Sequence, residues 1–257
     1  MRTEELTSAY LDALLTGASD RLISGFAGVP AIDDPLDGHV HGGSDLERFV
    51  RARHAWLVER SARVEPLRTT RIAQRTVFEA LVYLHLPALT ELPVAVVGDH
   101  AGEGVSSIRV YHSLWPLEGS HRVRPPLLRR DPSLAASDIV AAYQRALAAA
   151  DIDAIVATFE PDGYFREPAG GEWYYRGQEK LREFMAHILG TGGIGLEYCS
   201  LTDDGVACAI EFNAVRFGPH TLQPQAGIAV YERGKSGKLH AARIYDDVNV
   251  EALVRDS

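Results

Sequence analysis

Cysteine is nearly missing: Cys199 and Cys208 are the two in 257 residues. A disulfide framework is therefore excluded, and a chain held by an apolar core in a reducing, cytoplasmic setting is expected. Basic charge is also short, with 26 Lys and Arg against 35 Asp and Glu and a net charge of −9. Nucleic acid and anionic membrane both need a basic footprint, so neither is expected as a partner. Arg gathers in "SHRVRPPLLRRDP", Ser120 to Pro132, where the prolines point to a connecting segment. No apolar run approaches the length of a membrane span, and the polar opening "MRTEELTSAY" lacks the character of a signal peptide. A P-loop, a G-x-S-x-G elbow and an H-E-x-x-H pair are missing too. "GTGGIG", Gly190 to Gly195, fits the dinucleotide fingerprint by letter. It follows a helical pattern and leads into a strand, the reverse of the order a dinucleotide needs, so it reads as a helix end and turn. No cofactor is expected.

What is present is a repeat. "AYLDALLTGASD" from Ala9 has an echo in "AYQRALAAADID" from Ala142. Setting Tyr10 over Tyr143 aligns two helical patterns, then two short helices, "SDRLISGFA" and "DIDAIVATF", with Asp or Ser as N-caps. An acid before proline stands 24 residues after each Tyr: Asp34-Pro35 and Glu167-Pro168. A glycine and an amphipathic helix follow in "HGGSDLERFV" and "YRGQEKLREFM", where Ser44 and Glu47 have capping-box spacing. Alternating β-branched segments come next. They place Glu65 in register with Glu197, Glu79 with Glu211, and Val110-Tyr111-His112 with Ile244-Tyr245-Asp246. Each copy reads α-α-β-α-β-β-β. The expected domains are 1–117 and 136–257, joined by a linker over 118–135.

These residues resemble the SnoaL-like, or nuclear-transport-factor-2-like, superfamily across nearly the whole chain. "AYQRALAAADIDAIVATFEPDGYFREPAGG…RGQEKLREFM" carries the resemblance most specifically, and the N-terminal copy is looser. The resemblance implies an α+β fold of two tandem cone-shaped domains, each a curved antiparallel sheet wrapped by about three helices around a pocket. It also implies a range of activities: ketosteroid isomerases, limonene-type epoxide hydrolases, polyketide and polyether cyclases, and plain binding modules. A fold shared so widely does not assign a reaction.

By that resemblance, Tyr143 orients substrate while Glu167 and Glu197 form an acid–base pair. Tyr10, Asp34 and Glu65 are the counterparts in the first copy. The physical logic is independent of the family. Two carboxyls in one apolar cavity repel, one is pushed to bind its proton, and the pair then offers an acid and a base together. A buried Tyr hydroxyl adds a donor for developing negative charge. The same residues also suit a core Tyr and a turn acid. Steroid isomerases keep a second acid where the register places Ala229 and Ala95, so ordinary steroid isomerisation is not expected.

A second group, Glu211, Asn213, Arg243, Tyr245 and Asp247, shares strand faces at spacing two. Facing inward, it makes a charged substrate pocket like the acid-Arg-acid grouping of limonene-type hydrolases; facing outward, it is a solvated face. Alternation alone does not choose. In the first copy Tyr83 and His112 stand near the corresponding strands. His39 and His41, with Asp34 and Asp37, raise a metal question, but no third protein ligand is evident and no metal is expected. Both cysteines sit in strands as ordinary buried residues. The expected activity is cofactor-free acid–base chemistry on a small apolar molecule: epoxide opening by hydrolysis or cyclisation, or a related isomerisation. The alternative is a binding or scaffold protein whose two copies pair within one chain, with a homodimer of such chains as a further extension.

Overall fold

A computed structural model describes residues 3–249. They divide into two compact units, Met1–Gly119 and Ser120–Ser257. The first unit runs α1 (Thr3–Thr16), α2 (Ser19–Ile23), β1 (Ala31–Asp34), β2 (Gly38–His41), α3 (Gly43–Glu59), β3 (Arg63–Ile72), β4 (Arg75–Leu84), β5 (Thr90–Ala101), β6 (Gly104–Tyr111) and α4 (Trp115–Glu118). The second runs α5 (Asp138–Ala149), α6 (Ile152–Thr158), β7 (Phe159–Arg166), β8 (Tyr174–Arg176), α7 (Gln178–Ile188), β9 (Ile194–Asp203), β10 (Ala207–Phe217), β11 (His220–Arg233) and β12 (Leu239–Asp246). Each unit is α+β with one six-stranded sheet, ordered β2-β1-β6-β5-β4-β3 in the first and β8-β7-β12-β11-β10-β9 in the second.

Two details differ from the sequence expectation. The acid-proline strand is the first arm of a hairpin, and four strands rather than three follow α3 and α7. The sheets are mixed, because β1 lies parallel to β6 and β7 parallel to β12. Each parallel pair joins the first strand of a unit to its last, and local alternation carries no record of that long-range pairing.

The helices cover one face of each sheet. In α7, Leu181, Phe184, Met185 and Ile188 recur at helical spacing, and the first three are buried against the sheet residues Ile210, Phe212, Ala229 and Tyr231. Burying each such side chain contributes about 1.5–3 kcal/mol before entropy is subtracted. The helix starts at Gly177 (φ 84°), and α3 starts likewise at Gly42 (φ 88°), in backbone that other residues avoid. Ser44 does not cap α3, since no side chain bonds at that end. Asp151 does cap α6, accepting from Ala154 N at 3.0 Å. "GTGGIG" is indeed a turn: a Cβ on Gly193 would lie 2.2 Å from Ala148 O, so glycine is needed where β9 begins against the end of α5.

The segment expected as a linker is largely part of the second unit. Arg124 O accepts from Ala226 N at 2.9 Å, Leu128 O from Asn213 Nδ2 at 3.2 Å, and Tyr198 O from Asp131 N at 2.8 Å. Among the described residues, no helix is long and apolar enough to cross a membrane.

Candidate active site

Alternation along β9, β10 and β12 decides what meets in the second unit. Ile194 and Leu196, Phe212 and Ala214, and Ile244 and Asp246 turn toward the helices, where they line a cavity of about 250 Å³ with Tyr143, Leu147, Phe165, Phe184, Ile188, Phe217 and Tyr231. Glu167, Pro168, His121 and Val248 complete the wall. An engineered apolar cavity of roughly 150 Å³ holds benzene, so this one suits a molecule of roughly ten non-hydrogen atoms.

Tyr143 is buried, meeting Phe159 edge-on and Tyr231 at a tilt, at ring distances of 5.8 and 5.2 Å. Burial pushes its hydroxyl well above the ordinary range, so it stays protonated as a donor. Tyr231 is held by Gln144 Nε2, which donates to its hydroxyl at 2.7 Å. Glu167 accepts from Tyr175 OH at 2.9 Å, and burial raises its proton affinity. Asp246 is pushed up to about 7, first by burial and then by the neighbouring Asp247 carboxylate. Glu167 raises it further, while His121 pulls both carboxyls down. Here, then, are two acids and an imidazole at the edge of an apolar pocket.

This set revises the expected one. Tyr143 and Glu167 line one cavity, but Glu197 does not join them. Leu196 takes the inward direction, and Glu197 turns out to Arg130 Nη1 at 3.3 Å. Glu65 is likewise outside its cavity, half exposed and 3.6 Å from Arg63. The second carboxyl on the cavity belongs to Asp246, which the register had placed opposite His112 without assigning it a role.

The group expected as substrate-binding has the outward parity. Glu211, between inward Ile210 and Phe212, accepts from Ser200 Oγ. Asn213 holds the connecting segment, and Arg243 donates to Glu232 and to Tyr164 OH, each at 3.0 Å. Tyr245 is buried between inward Ile244 and Asp246. Asp247 accepts from the His121 ring at 2.8 Å and from Arg122 N at 2.8 Å. These residues are buried and partnered rather than solvated, but they do not line the cavity. The Ala95 and Ala229 register is also off by one. Ala229 pairs with Ile244, whereas Val96 pairs with Val110, so Val96 is its counterpart.

The first unit keeps the pattern and fills the space. Its cavity is about 40 Å³, lined by Tyr10, Asp34, Arg53, Trp56, His112 and apolar neighbours. Tyr83 turns away toward Arg63, whose guanidinium lies 5.9 Å over its ring. Asp34 accepts from Tyr10 OH at 3.1 Å, Leu36 N at 2.9 Å, Asp37 N at 3.1 Å and Arg53 at 3.4 Å. Arg53 also binds Asp37 and lies 5.4 Å over the Trp56 ring. Counted from the helix-starting glycine, Arg53 holds the place in α3 that Ile188 holds in α7. It continues the inward stripe of Leu46, Phe49 and Val50. One cation on an apolar stripe thus converts a candidate acid into an ion-paired anchor. Asp34→Ala should lower stability by about 2–4 kcal/mol, by stripping a buried Arg and several donors of their acceptor. Urea unfolding measures this, and an unchanged midpoint contradicts the anchor role.

His39 and His41 stack at 5.8 Å, with His39 bonded to Asp33 at 2.9 Å. Among the described residues, ligand atoms of Glu160, Asp162 and His240 lie within 4.8 Å of one another. Glu160 is engaged there by Ser236 N and Oγ at 3.1 and 2.8 Å, as an anchor for the turn that precedes β12. Burial pushes the thiols of Cys199 and Cys208 up to about 11 and 12, which suits inert structural cysteines.

Residues 140–241 match the family model of the SnoaL-like domain. Neither His121 nor Asp246 falls inside that match. No curated protein matches the chain.

Among solved structures, a protein from Catenulispora acidiphila with a ketosteroid isomerase-like fold, in complex with trimethylamine, is 20% identical. It aligns over 46% of this chain and 92% of its own, with a TM-score of 0.38. An LEH-like epoxide hydrolase from M. tuberculosis is 22% identical over 46% and 87% of the two chains, with a TM-score of 0.38. SalBIII, described as an epoxide hydrolase/cyclase-like enzyme in pyran ring formation in polyether salinomycin, is 16% identical over 42% and 88% of the two chains, with a TM-score of 0.34.

Proposed function

We propose that the second unit is an acid–base enzyme that opens an epoxide, by water or by a hydroxyl of the same molecule, in a small apolar substrate. The observation that carries this reading is the placing of Glu167 and Asp246, both with raised proton affinity, on one apolar cavity. One carboxylate takes the proton of the attacking hydroxyl as its oxygen bonds to an epoxide carbon. The carbon–oxygen bond breaks, and the other carboxyl protonates the leaving oxygen. The two acids end with their protonation states exchanged, and proton exchange with solvent resets them. Tyr143 and Tyr231 offer hydroxyls to orient the substrate oxygen. An isomerisation or ring closure through an enol uses the same pair. A specialised-metabolic, cytoplasmic role belongs to this proposal.

For the first unit, the small cavity and the Arg53–Asp34 pair favour a structural role. The test is incubation with styrene oxide, cyclohexene oxide, 1,2-epoxyoctane and 4,5-epoxypentan-1-ol, with products separated by chiral chromatography. Diol or cyclic ether above the buffer rate, with one enantiomer in excess, supports the reading. Racemic product at the buffer rate across the panel rejects it.

A further inference from the structure

His121 is a residue that neither the repeat nor the family match singles out, since it lies in the segment before α5. That segment is fixed to the second unit's own sheet by Arg124, Leu128 and Asp131. One Asp247 oxygen takes the ring Nδ1 and the other takes Arg122 N, both at 2.8 Å. This two-point hold sets both the position and the tilt of the imidazole, which lines the cavity with Glu167 and Asp246.

We propose that His121 is a positioning residue of this site: Asp247 holds it as an imidazolium, and its charge keeps one of the two cavity carboxyls ionised as the base. The proposal rests on the acid–base reading of the cavity and names what divides the labour within it. Two carboxyls in an apolar pocket with no cation nearby would both hold their protons at neutral pH, leaving two acids and no base. A fixed positive charge beside them restores one anion, and repulsion between the carboxyls prevents a second.

The groups facing the ring agree with this sign. Asp247 and Asp246 come from the end of β12 and Glu167 from the end of β7, and all three raise the proton affinity of His121, with the Asp247 hydrogen bond the largest effect. Arg122 is the neighbouring cation along the segment, and His187 of α7 acts on Glu167 in the same direction as His121. By reciprocity, the ring lowers the proton affinity of Glu167 and Asp246. Asp247, which looked like a substrate contact from its strand face, then acts through His121.

NMR titration of the full-length chain tests this without a substrate. The His121 ring is followed by its imidazole resonances, and the carboxyls by carbon-13 shifts assigned with Glu167→Gln and Asp246→Asn. In Asp247→Asn the His121 midpoint should fall by about one pH unit. In His121→Gln the first carboxyl midpoint should rise by about one unit, and in His121→Lys, which keeps a cation, it should return toward the wild-type value. A His121 midpoint unmoved by Asp247→Asn, or a carboxyl midpoint the same in the Gln and Lys variants, overturns the proposal. Turnover on the epoxide panel is read separately. Moving midpoints with a silent panel reject the reaction and keep the electrostatic role; turnover with unmoved midpoints does the reverse.

Discussion

Glu167→Gln should lower epoxide turnover by about 10²–10⁴-fold, the usual weight of one acid–base group. The melting temperature should stay within a few degrees, because the amide keeps an oxygen for Tyr175 OH and fits the same space. The effect belongs in kcat rather than KM, since the carboxylate acts as the proton moves and the apolar wall does the binding. Turnover should also be bell-shaped in pH, because one carboxyl must be ionised and the other protonated. The alkaline limb should fall near 7, where Asp246 gives up its proton. Stopped-time assays from pH 4 to 9 measure both effects. Wild-type turnover in the Gln variant removes Glu167 from the chemistry.

Asp246→Asn should make the protein more stable as it makes it inactive. The folded carboxyl is pushed up to about 7, whereas an unfolded Asp ionises near 4. The folded state therefore binds this proton more tightly, and ionisation costs it stability as pH rises through that window. Asn never ionises, so its advantage is absent below about pH 4, grows between there and 7, and levels off above. The half-buried position reduces the full linkage value, which leaves a gain of about 2–4 kcal/mol at pH 8. His121 carries the same sign: its raised proton affinity stabilises the fold at acid pH and is lost as pH rises. Denaturant unfolding of both proteins at pH 4.5 and 8 tests the difference. A gain that is equal at both pH values shows that Asp246 carries no strained charge. Stability lost to a functional acid is a familiar trade in enzymes.

The fold was legible because it was written twice. Tyr10 and Tyr143 set the register, and the acid-prolines confirmed it at the same distance of 24 residues in both copies. The parallel pairs β1–β6 and β7–β12 were not legible, because pairing between chain-distant strands leaves no local pattern. That register brought Tyr143 and Glu167 to notice, and both line the second unit's cavity. Glu197 was misplaced because one step along a strand reverses its face, and the bulges between β9 and β10 shift the count. Asp246 appeared in the sequence only as the counterpart of His112, and its place on the cavity depends on a strand direction that alternation does not choose. His121 carried no such clue, because proline and arginine around it suggested a loose tether. Arg53 could have been read, since a charged residue on the stripe of Leu46, Phe49 and Val50 breaks the amphipathic pattern.

That Arg53 gives the chain its own reference state. Tyr, acid, proline and wrapped sheet occur in both units, so the first shows what the second becomes once a guanidinium enters in place of Ile188. Exchanging these two residues is a graft with both endpoints already present in one molecule. Ile188→Arg places a counter-ion at the helix position from which Arg53 reaches Asp34, and Arg53→Ile removes it from the copy whose acid now depends on it. Duplication has in effect separated two demands that conflict in a single small domain: one copy satisfies its carboxylate, and the other is released to leave its carboxyls short of partners.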